Sequence, residues 1–185
     1  MNIQTSKPRN VNGFTLIEVL VAFIVLTIGM LGTVALQASA KKASYDANQR
    51  SAALALGNDI IERIRANDSD NIVAQYTVDF DFQTALPNVD CALNRCDSDT
   101  MAQYDILQWQ RALRVNDNTG SLANGTVCIR PTTVAGDPSG VNLSVIVAWQ
   151  GREQIVQSED NANMDCGDIE NRRMVVLESY LYVRA

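Results

Sequence analysis

The 185-residue sequence contains no histidine, and this absence excludes several kinds of active site. A Ser-His-Asp triad, a histidine general base and a histidine-ligated metal each need an imidazole ring. Positive charge is also scarce, since 15 Lys and Arg stand against 21 Asp and Glu and give a formal net charge of −6. Proteins that bind the phosphate backbone of nucleic acids need clustered positive charge. The sequence therefore predicts neither histidine-based catalysis nor direct nucleic-acid binding.

Cysteine is scarce but even in number. The four cysteines are Cys91, Cys96, Cys128 and Cys166. All lie far beyond the apolar N-terminal segment, as is typical of a disulfide-containing domain exported to an oxidising compartment. A zinc site made of all four thiolates is the alternative, but zinc ribbons usually contain two close cysteine pairs and here only one pair is close.

Four cysteines allow three pairings, which the sequence alone does not decide. We favour Cys91–Cys96, which closes a tight local loop, and Cys128–Cys166, which ties the predicted sheet to the segment before its last strand. We predict no metal site and no cofactor. The acidic segment NDNTG, residues 116–120, lacks the full spacing and distal glutamate of a calcium loop.

Charged residues are missing from Val19 to Ala40, a run of 22 residues. At about 1.5 Å per residue, a helix over this run spans roughly 33 Å, close to the thickness of the hydrocarbon core of a bilayer. Glu18 stands directly before the run, although a carboxylate at mid-bilayer costs on the order of 2.5 kcal/mol or more. A secretory signal peptide cleaved after Ala40 would have a shorter apolar region and seldom an acid. A plain signal anchor leaves Glu18 unexplained.

The segment GFTLIEVLVA, residues 13–22, resembles the processing signature of type IV pilins and pseudopilins. The resemblance implies that a prepilin peptidase cleaves between Gly13 and Phe14 and then methylates the new amino group, which makes residue 14 N-methylphenylalanine. Glu18 becomes the fifth residue of the mature chain. In that family this acid pairs with the N-terminal amine of a neighbouring subunit. An unpaired charge there is strongly unfavourable, so the pair would set the axial register of the subunits.

The helical pattern continues beyond the apolar run. Ala53, Leu56, Ile60 and Ile64 recur at helical spacing and predict an amphipathic helix with an apolar stripe. The turn-forming run NDSDN, which begins at Asn67, predicts the end of this helix.

These patterns predict three parts of the chain. A leader peptide covers residues 1–13, one long helix with a transmembrane half at 14–40 covers 14–66, and a periplasmic globular head covers 67–185.

The head combines one helix with several strands. SDTMAQYDILQWQRALRVN, residues 98–116, predicts a helix capped by Ser98 or Asp99. Its predicted apolar face consists of Ala102, Ile106, Trp109 and Leu113. Three strand candidates follow at residues 125–130, 141–151 and 172–183. Val145, Val147 and Trp149 share one strand face and are expected in the core. We predict an α+β fold in which the long helix packs on an antiparallel sheet, the pilin fold.

Segments of the head strengthen the resemblance and narrow it to minor pilins. They are CALNRC (91–96), AQYDILQWQRAL (102–113), VIVAWQGR (145–152) and RRMVVLESYL (172–181). The resemblance implies a non-enzymatic subunit of a type IV pilus that primes or promotes pilus assembly and supports twitching motility or adhesion. A minor pseudopilin of a type II secretion system is the alternative.

The implied partners are the prepilin peptidase, other minor pilins, the major pilin, the inner-membrane assembly platform and the membrane itself. The implied location is the inner membrane, with one span and a periplasmic head, and then the pilus on the cell surface.

Overall fold

The computed structural model describes residues 13–184. The predicted leader peptide, apart from Gly13, lies outside the described residues. The chain divides into two compact units between Ser44 and Tyr45, and each unit is described by itself. The helices are α1 (Leu16–Ala66), α2 (Ile72–Tyr76), α3 (Ser98–Thr119) and α4 (Glu159–Ala162). The strands are β1 (Val78–Asp81), β2 (Thr126–Val134), β3 (Asp137–Gln150) and β4 (Arg172–Tyr182).

In the described residues, the N-terminal unit contains helix α1 up to Ser44 and the three residues before the helix. Its large apolar side chains are exposed, from Leu16 to Leu36. By length and composition, α1 is the one helix in residues 13–184 that could cross a membrane.

The rest of α1, from Tyr45 to Ala66, lies in the second compact unit together with the predicted head of residues 67–185, and this whole unit is called the head from here on. The predicted apolar stripe is confirmed, because Ala53, Leu56, Ile60 and Ile64 are all buried. Gly57 lies in the same stripe and faces the side chain of Leu177 on β4. A Cβ atom at Gly57 would stand 2.6 Å from Cδ1 of that leucine, so the glycine permits close packing of helix and sheet.

The sheet has the strand order β1-β2-β3-β4 in the described residues, and every neighbouring pair is antiparallel. The α+β fold class, a long N-terminal helix packed on an antiparallel sheet, is therefore confirmed. Its inner face buries Val145, Val147 and Trp149 of β3, as predicted. Strand β1 is one more than the three predicted strands. It is only four residues long, and it pairs with the first half of β2.

Helix α3 buries Ala102, Trp109 and Leu113 in the same core, with Ile106 packed at its border. The predicted N-cap is wrong: the cap is Asp97, whose carboxylate accepts a hydrogen bond from the backbone N–H of Thr100. An Asx cap needs its side chain one residue before the first helical residue, and α3 already begins at Ser98. The helix runs on to Thr119, so residues 116–119 form its last turn.

The segment 151–171, here called the strap, packs on the outer face of the sheet. Cys128 of β2 forms a disulfide with Cys166 of the strap, and the two Cα atoms are 5.9 Å apart. Cys166 and Met164 pack there with Ile146 of β3. The guanidinium of Arg172 donates hydrogen bonds to several strap carbonyls, including that of Met164 at 2.9 Å. The strap is thus attached to the sheet by a disulfide and by the hydrogen bonds of Arg172.

Candidate processing and assembly site

The residues before α1 form an exposed, non-helical segment. Gly13, Phe14 and Thr15 have no regular secondary structure, and α1 begins at Leu16. The side chain of Phe14 is 84 % exposed, and apart from the two neighbouring residues in the chain no described atom lies within 4 Å of the position of a Cβ on Gly13. Exposed terminal segments of this kind are where proteases act most readily. The peptide bond between Gly13 and Phe14 is therefore accessible to an enzyme.

Thr15 caps the helix that follows. Its hydroxyl oxygen accepts a hydrogen bond from the backbone N–H of Glu18 at 3.3 Å, and its carbonyl accepts one from the same N–H at 3.1 Å. Threonine at the N-cap with glutamate three positions on is the spacing of a capping box. Thr15 therefore determines where the helix starts and places Glu18 in its first turn.

The carboxylate of Glu18 has no hydrogen-bond or ion-pair partner among residues 13–184. It lies four residues after Phe14, which corresponds to about 6 Å of helical rise. A negative charge in the first turn is favoured by the helix dipole. The acid is thus positioned on a defined helical turn, close to Phe14, and is available to a cation from outside the chain.

Behind this acid, α1 offers an apolar surface. Side chains such as Ile17, Val25 and Leu31 are 65–70 % exposed. Exposed apolar surface of this extent marks a membrane or protein contact. The long apolar helix indicates membrane anchoring.

The head contains a partly buried polar network that joins α1 to α3. The indole N–H of Trp109 donates to Asp59 at 3.0 Å, and Arg63 donates to the same carboxylate at 2.9 Å. Arg63 also reaches Asp105 at 3.4 Å. Asp105 accepts a further bond, at 3.0 Å, from the hydroxyl of Tyr76. These contacts lock the helices together.

Burial dominates the electrostatics of this network. Asp105 is only 5 % exposed, and its burial raises the pKa of the carboxyl above the usual value although Tyr76 and Arg63 favour the charged form. Burial, together with the charge of Asp105, also raises the pKa of the Tyr76 hydroxyl. The hydroxyl of Tyr76 accepts a bond from Asn67 at 2.9 Å, just after the end of α1. Each of these polar groups is therefore bonded within the head, and their role there is structural.

The residues singled out in the sequence fall into two separate groups. Gly13, Phe14 and Glu18 lie together around the first turn of α1. The cysteines lie in the head as the two disulfides Cys91–Cys96 and Cys128–Cys166, so their thiolates are not available to a zinc ion.

Sequence reasoning missed Thr15 and the network around Asp105. The threonine could have been found from its three-residue spacing to Glu18. The network gives no such local signal, since its members are far apart in the sequence.

Two family models match the chain. The prokaryotic N-terminal methylation motif matches residues 8–34, and the family described as type IV pilin Tt1218 matches residues 35–107. The first match contains the segment around Gly13, Phe14 and Glu18, and the second contains the remainder of α1 and the first half of α3. Neither the curated proteins nor the solved structures gave a significant match.

Proposed function

We propose that this type IV pilin, which carries the N-terminal methylation motif, is a minor pilin that primes or promotes the assembly of a type IV pilus. It is cut between Gly13 and Phe14 by a prepilin peptidase, is methylated on Phe14, and enters the filament from the inner membrane. The observation that carries the proposal is the first turn of α1. An accessible Gly-Phe bond, a helix start set by Thr15 and an unpaired Glu18 stand there directly before an exposed apolar helix.

The proposed mechanism is assembly and involves no bond-making by this chain. Cleavage creates an α-amine at Phe14, and the carboxylate of Glu18 pairs with the amine of a neighbouring subunit. A charge that stays unpaired in the apolar filament core is strongly unfavourable, whereas a paired one is tolerated. The pair therefore selects the correct axial register between subunits more than it adds net stability. The exposed apolar side chains of α1 first contact lipid and then the helices of other subunits.

The head supports the assignment to a minor subunit. Major pilins usually place a disulfide near the C-terminus, around a terminal loop. Here both disulfides precede β4, and β4 contains no cysteine. The head segments resemble the minor pilin known as type IV pilus modification protein, PilV. We accordingly propose the prepilin peptidase, other minor pilins, the major pilin and the assembly platform as partners, and a surface pilus as the final location.

Deletion of the chain's gene, followed by counting of surface pili and assay of protein secretion, tests this function. We expect few or no surface pili and normal secretion, with piliation restored by the unmodified chain. Loss of secretion with normal piliation would contradict the proposal and identify a pseudopilin. The Glu18→Ala chain is the matched complementing variant, and we expect it to restore neither pili nor motility.

A further inference from the structure

The two edges of the sheet in the head are built differently. At the first edge, β1 covers β2 only from Thr126 to Ile129. Beyond that point β2 contains Pro131, which has no N–H to offer, and its register with β3 shifts at Thr133 and Val134. Prolines and bulges at an edge prevent other strands from pairing with it. The β1–β2 edge is thus protected.

The other edge is strand β4. The backbone N–H of Val183 donates to Ser139, and the N–H of Gly151 donates to the carbonyl of Asn171. Both bonds fit the β3–β4 register, in which Tyr182 opposes Gly140. Hydrogen-bonded pairs alternate along an antiparallel ladder. The odd-numbered residues of β4 therefore bond to β3, and the even-numbered residues direct their backbone N–H and C=O groups away from the sheet.

At each end of β4, one outward-facing backbone group is hydrogen-bonded to a side chain of the head. The amide of Gln157 donates to the carbonyl of Arg172 at 2.7 Å, and the carboxylate of Asp68 accepts from the N–H of Arg184 at 2.9 Å. Between them, from Met174 to Tyr182, no protein group in residues 13–184 bonds to the outward row. The free part of the row belongs to Met174, Val176, Glu178, Tyr180 and Tyr182.

This free edge has none of the devices that protect the opposite one. It contains no proline, its register with β3 is continuous, and its one charged residue is Glu178. Tyr180 and Tyr182 are 52 % and 66 % exposed, and the hydroxyl of Tyr180 is held by Asp137 at 2.7 Å. Partly exposed aromatic side chains with fixed orientation are typical of protein contacts. The edge is therefore open, long and lined by residues suited to an interface.

We propose that the β4 edge, Met174–Tyr182, binds an extended strand of a different pilin-type subunit by strand addition. A row of unpaired N–H and C=O groups is complementary to another extended backbone. A second copy of this chain is disfavoured, because the antiparallel register that uses the whole free edge places Glu178 opposite Glu178 of the second copy. Charge complementarity instead specifies a strand with a basic side chain opposite Glu178. The nature of the partner rests on the proposed function; the edge itself does not.

Photo-crosslinking from the edge tests the proposed strand addition. A photo-reactive phenylalanine derivative replaces Tyr180 of the full chain in cells that produce it. Products are identified by mass spectrometry in sheared pili and in the membrane fraction. The same experiment is done with Val176→Pro, which removes one outward N–H, and with Val176→Thr, which keeps it. We expect a product with a different pilin-type subunit that is roughly tenfold weaker with Val176→Pro and unchanged with Val176→Thr, as strand addition requires. No product, a product with a second copy alone, or equal yields from a folded Val176→Pro chain would overturn the proposal.

If Val176→Pro does not fold, amide hydrogen exchange tests whether a strand is added to the β4 edge. The unmodified full chain is compared in detergent and in the assembled complex. We expect the even-numbered amides from Met174 to Tyr182 to exchange roughly tenfold or more slowly in the complex, with the odd-numbered ones unchanged, since only new bonds protect the outward row. Equal exchange in both states would overturn strand addition. Absence of the chain from sheared pili would instead refute the proposed function, while a Tyr180 product with a pilin-type subunit in the membrane fraction would still support the edge.

Discussion

The N-terminal unit and the head place their apolar residues in opposite environments. Leu31 in the first unit is 70 % exposed, whereas Ile60, Leu113 and Val145 in the head have no exposed surface. Burial of a large aliphatic side chain is worth about 1.5–3 kcal/mol, so the head gains its stability from its own core. The apolar side chains of the N-terminal unit gain no comparable burial within residues 13–184. Under the proposed function, lipid and then other subunits would bury them.

Two acidic residues show the same contrast. Asp105 in the head is enclosed and bonded to Tyr76 and Arg63, and its role is complete within the chain. The carboxylate of Glu18 in the N-terminal unit has no partner among residues 13–184. The polar contacts of Asp105 are therefore satisfied within the fold, whereas the proposed partner of Glu18 lies on another subunit.

Replacement of Glu18 by alanine tests the proposed pairing of this acid with another subunit, and it has the largest expected effect. The variant should be cleaved normally and its head should melt like the unmodified chain. Its incorporation into pili should fall by about a hundredfold, since an unpaired amine in the filament core costs on the order of 3 kcal/mol. Glu62→Ala is the matched control, because Glu62 is an exposed glutamate on the same helix. The measurement is an immunoblot of sheared pili for a tagged Glu18→Ala chain, in cells that also produce the unmodified chain and therefore make pili. Normal incorporation of the variant would break the comparison.

Removal of the disulfides should affect the head alone. Closing a loop of 38 residues between Cys128 and Cys166 stabilises by about 4 kcal/mol, against about 2 kcal/mol for the five-residue separation of Cys91 and Cys96. Paired serine substitutions should therefore lower the melting temperature about twice as much for the long loop. Calorimetry of the full chain in detergent measures this. An equal or larger loss at the Cys91–Cys96 loop would show that the chain-entropy account fails here.

The two tryptophans of the head provide a matched pair. Trp109 donates to Asp59, whereas the indole N–H of Trp149 is buried without a partner among the described residues. Trp→Phe removes similar volume at both sites but a hydrogen bond only at residue 109. Trp109→Phe should be the more destabilising by about 1 kcal/mol, the net worth of one such bond. Equal losses in denaturant unfolding would mean that the Trp109 bond contributes nothing.

The smallest expected effect concerns pH. Because the pKa of Asp105 is raised in the folded head, the folded state holds this proton more tightly than the unfolded chain. The resulting stability is full below the unfolded pKa of 3.8 and is lost as pH rises through the folded pKa. Asp105→Asn should therefore gain stability relative to the unmodified chain as pH rises, and melting curves across acidic pH measure this. A difference in melting temperature between the two proteins that stays constant across pH would refute this role of Asp105.

Asp81 should show the opposite sign. The hydrogen bond from Thr84 lowers the pKa of its carboxyl, so its contribution is present above the unfolded pKa and is lost as pH falls. Asp81→Asn should accordingly lose stability relative to the unmodified chain as pH rises from strongly acidic values. Parallel behaviour of Asp81→Asn and Asp105→Asn in the same melting series would contradict both assignments.

The sequence predicted those features that local pattern determines. The stripe at Ala53, Leu56, Ile60 and Ile64 reports helical burial directly, and alternation along β3 reports its inner face. Strand β1 was missed because the alternating segment YTVDF, residues 76–80, leads directly into a loop and was not taken as a strand. The N-cap was misplaced because Asp97, Ser98 and Asp99 are all good caps, and only the helix start distinguishes them.

Other features depend on contacts between distant segments. The Asp59–Trp109 bond joins residues 50 positions apart, and the open edge of β4 becomes visible only when the register with β3 is known. The candidate site at Gly13, Phe14 and Glu18 could be proposed from a motif because its residues lie within six positions of one another. Its processing and pairing stay predictions, since the proposed partners lie outside the chain.

The most direct test of the account is the intact mass of the chain isolated from its own cells. We expect a mature chain that starts at Phe14 and carries one additional methyl group on its amino terminus. A chain that starts at Lys41, as after cleavage by an ordinary signal peptidase, would lack both Glu18 and the apolar helix. That result would contradict assembly through the N-terminal unit altogether.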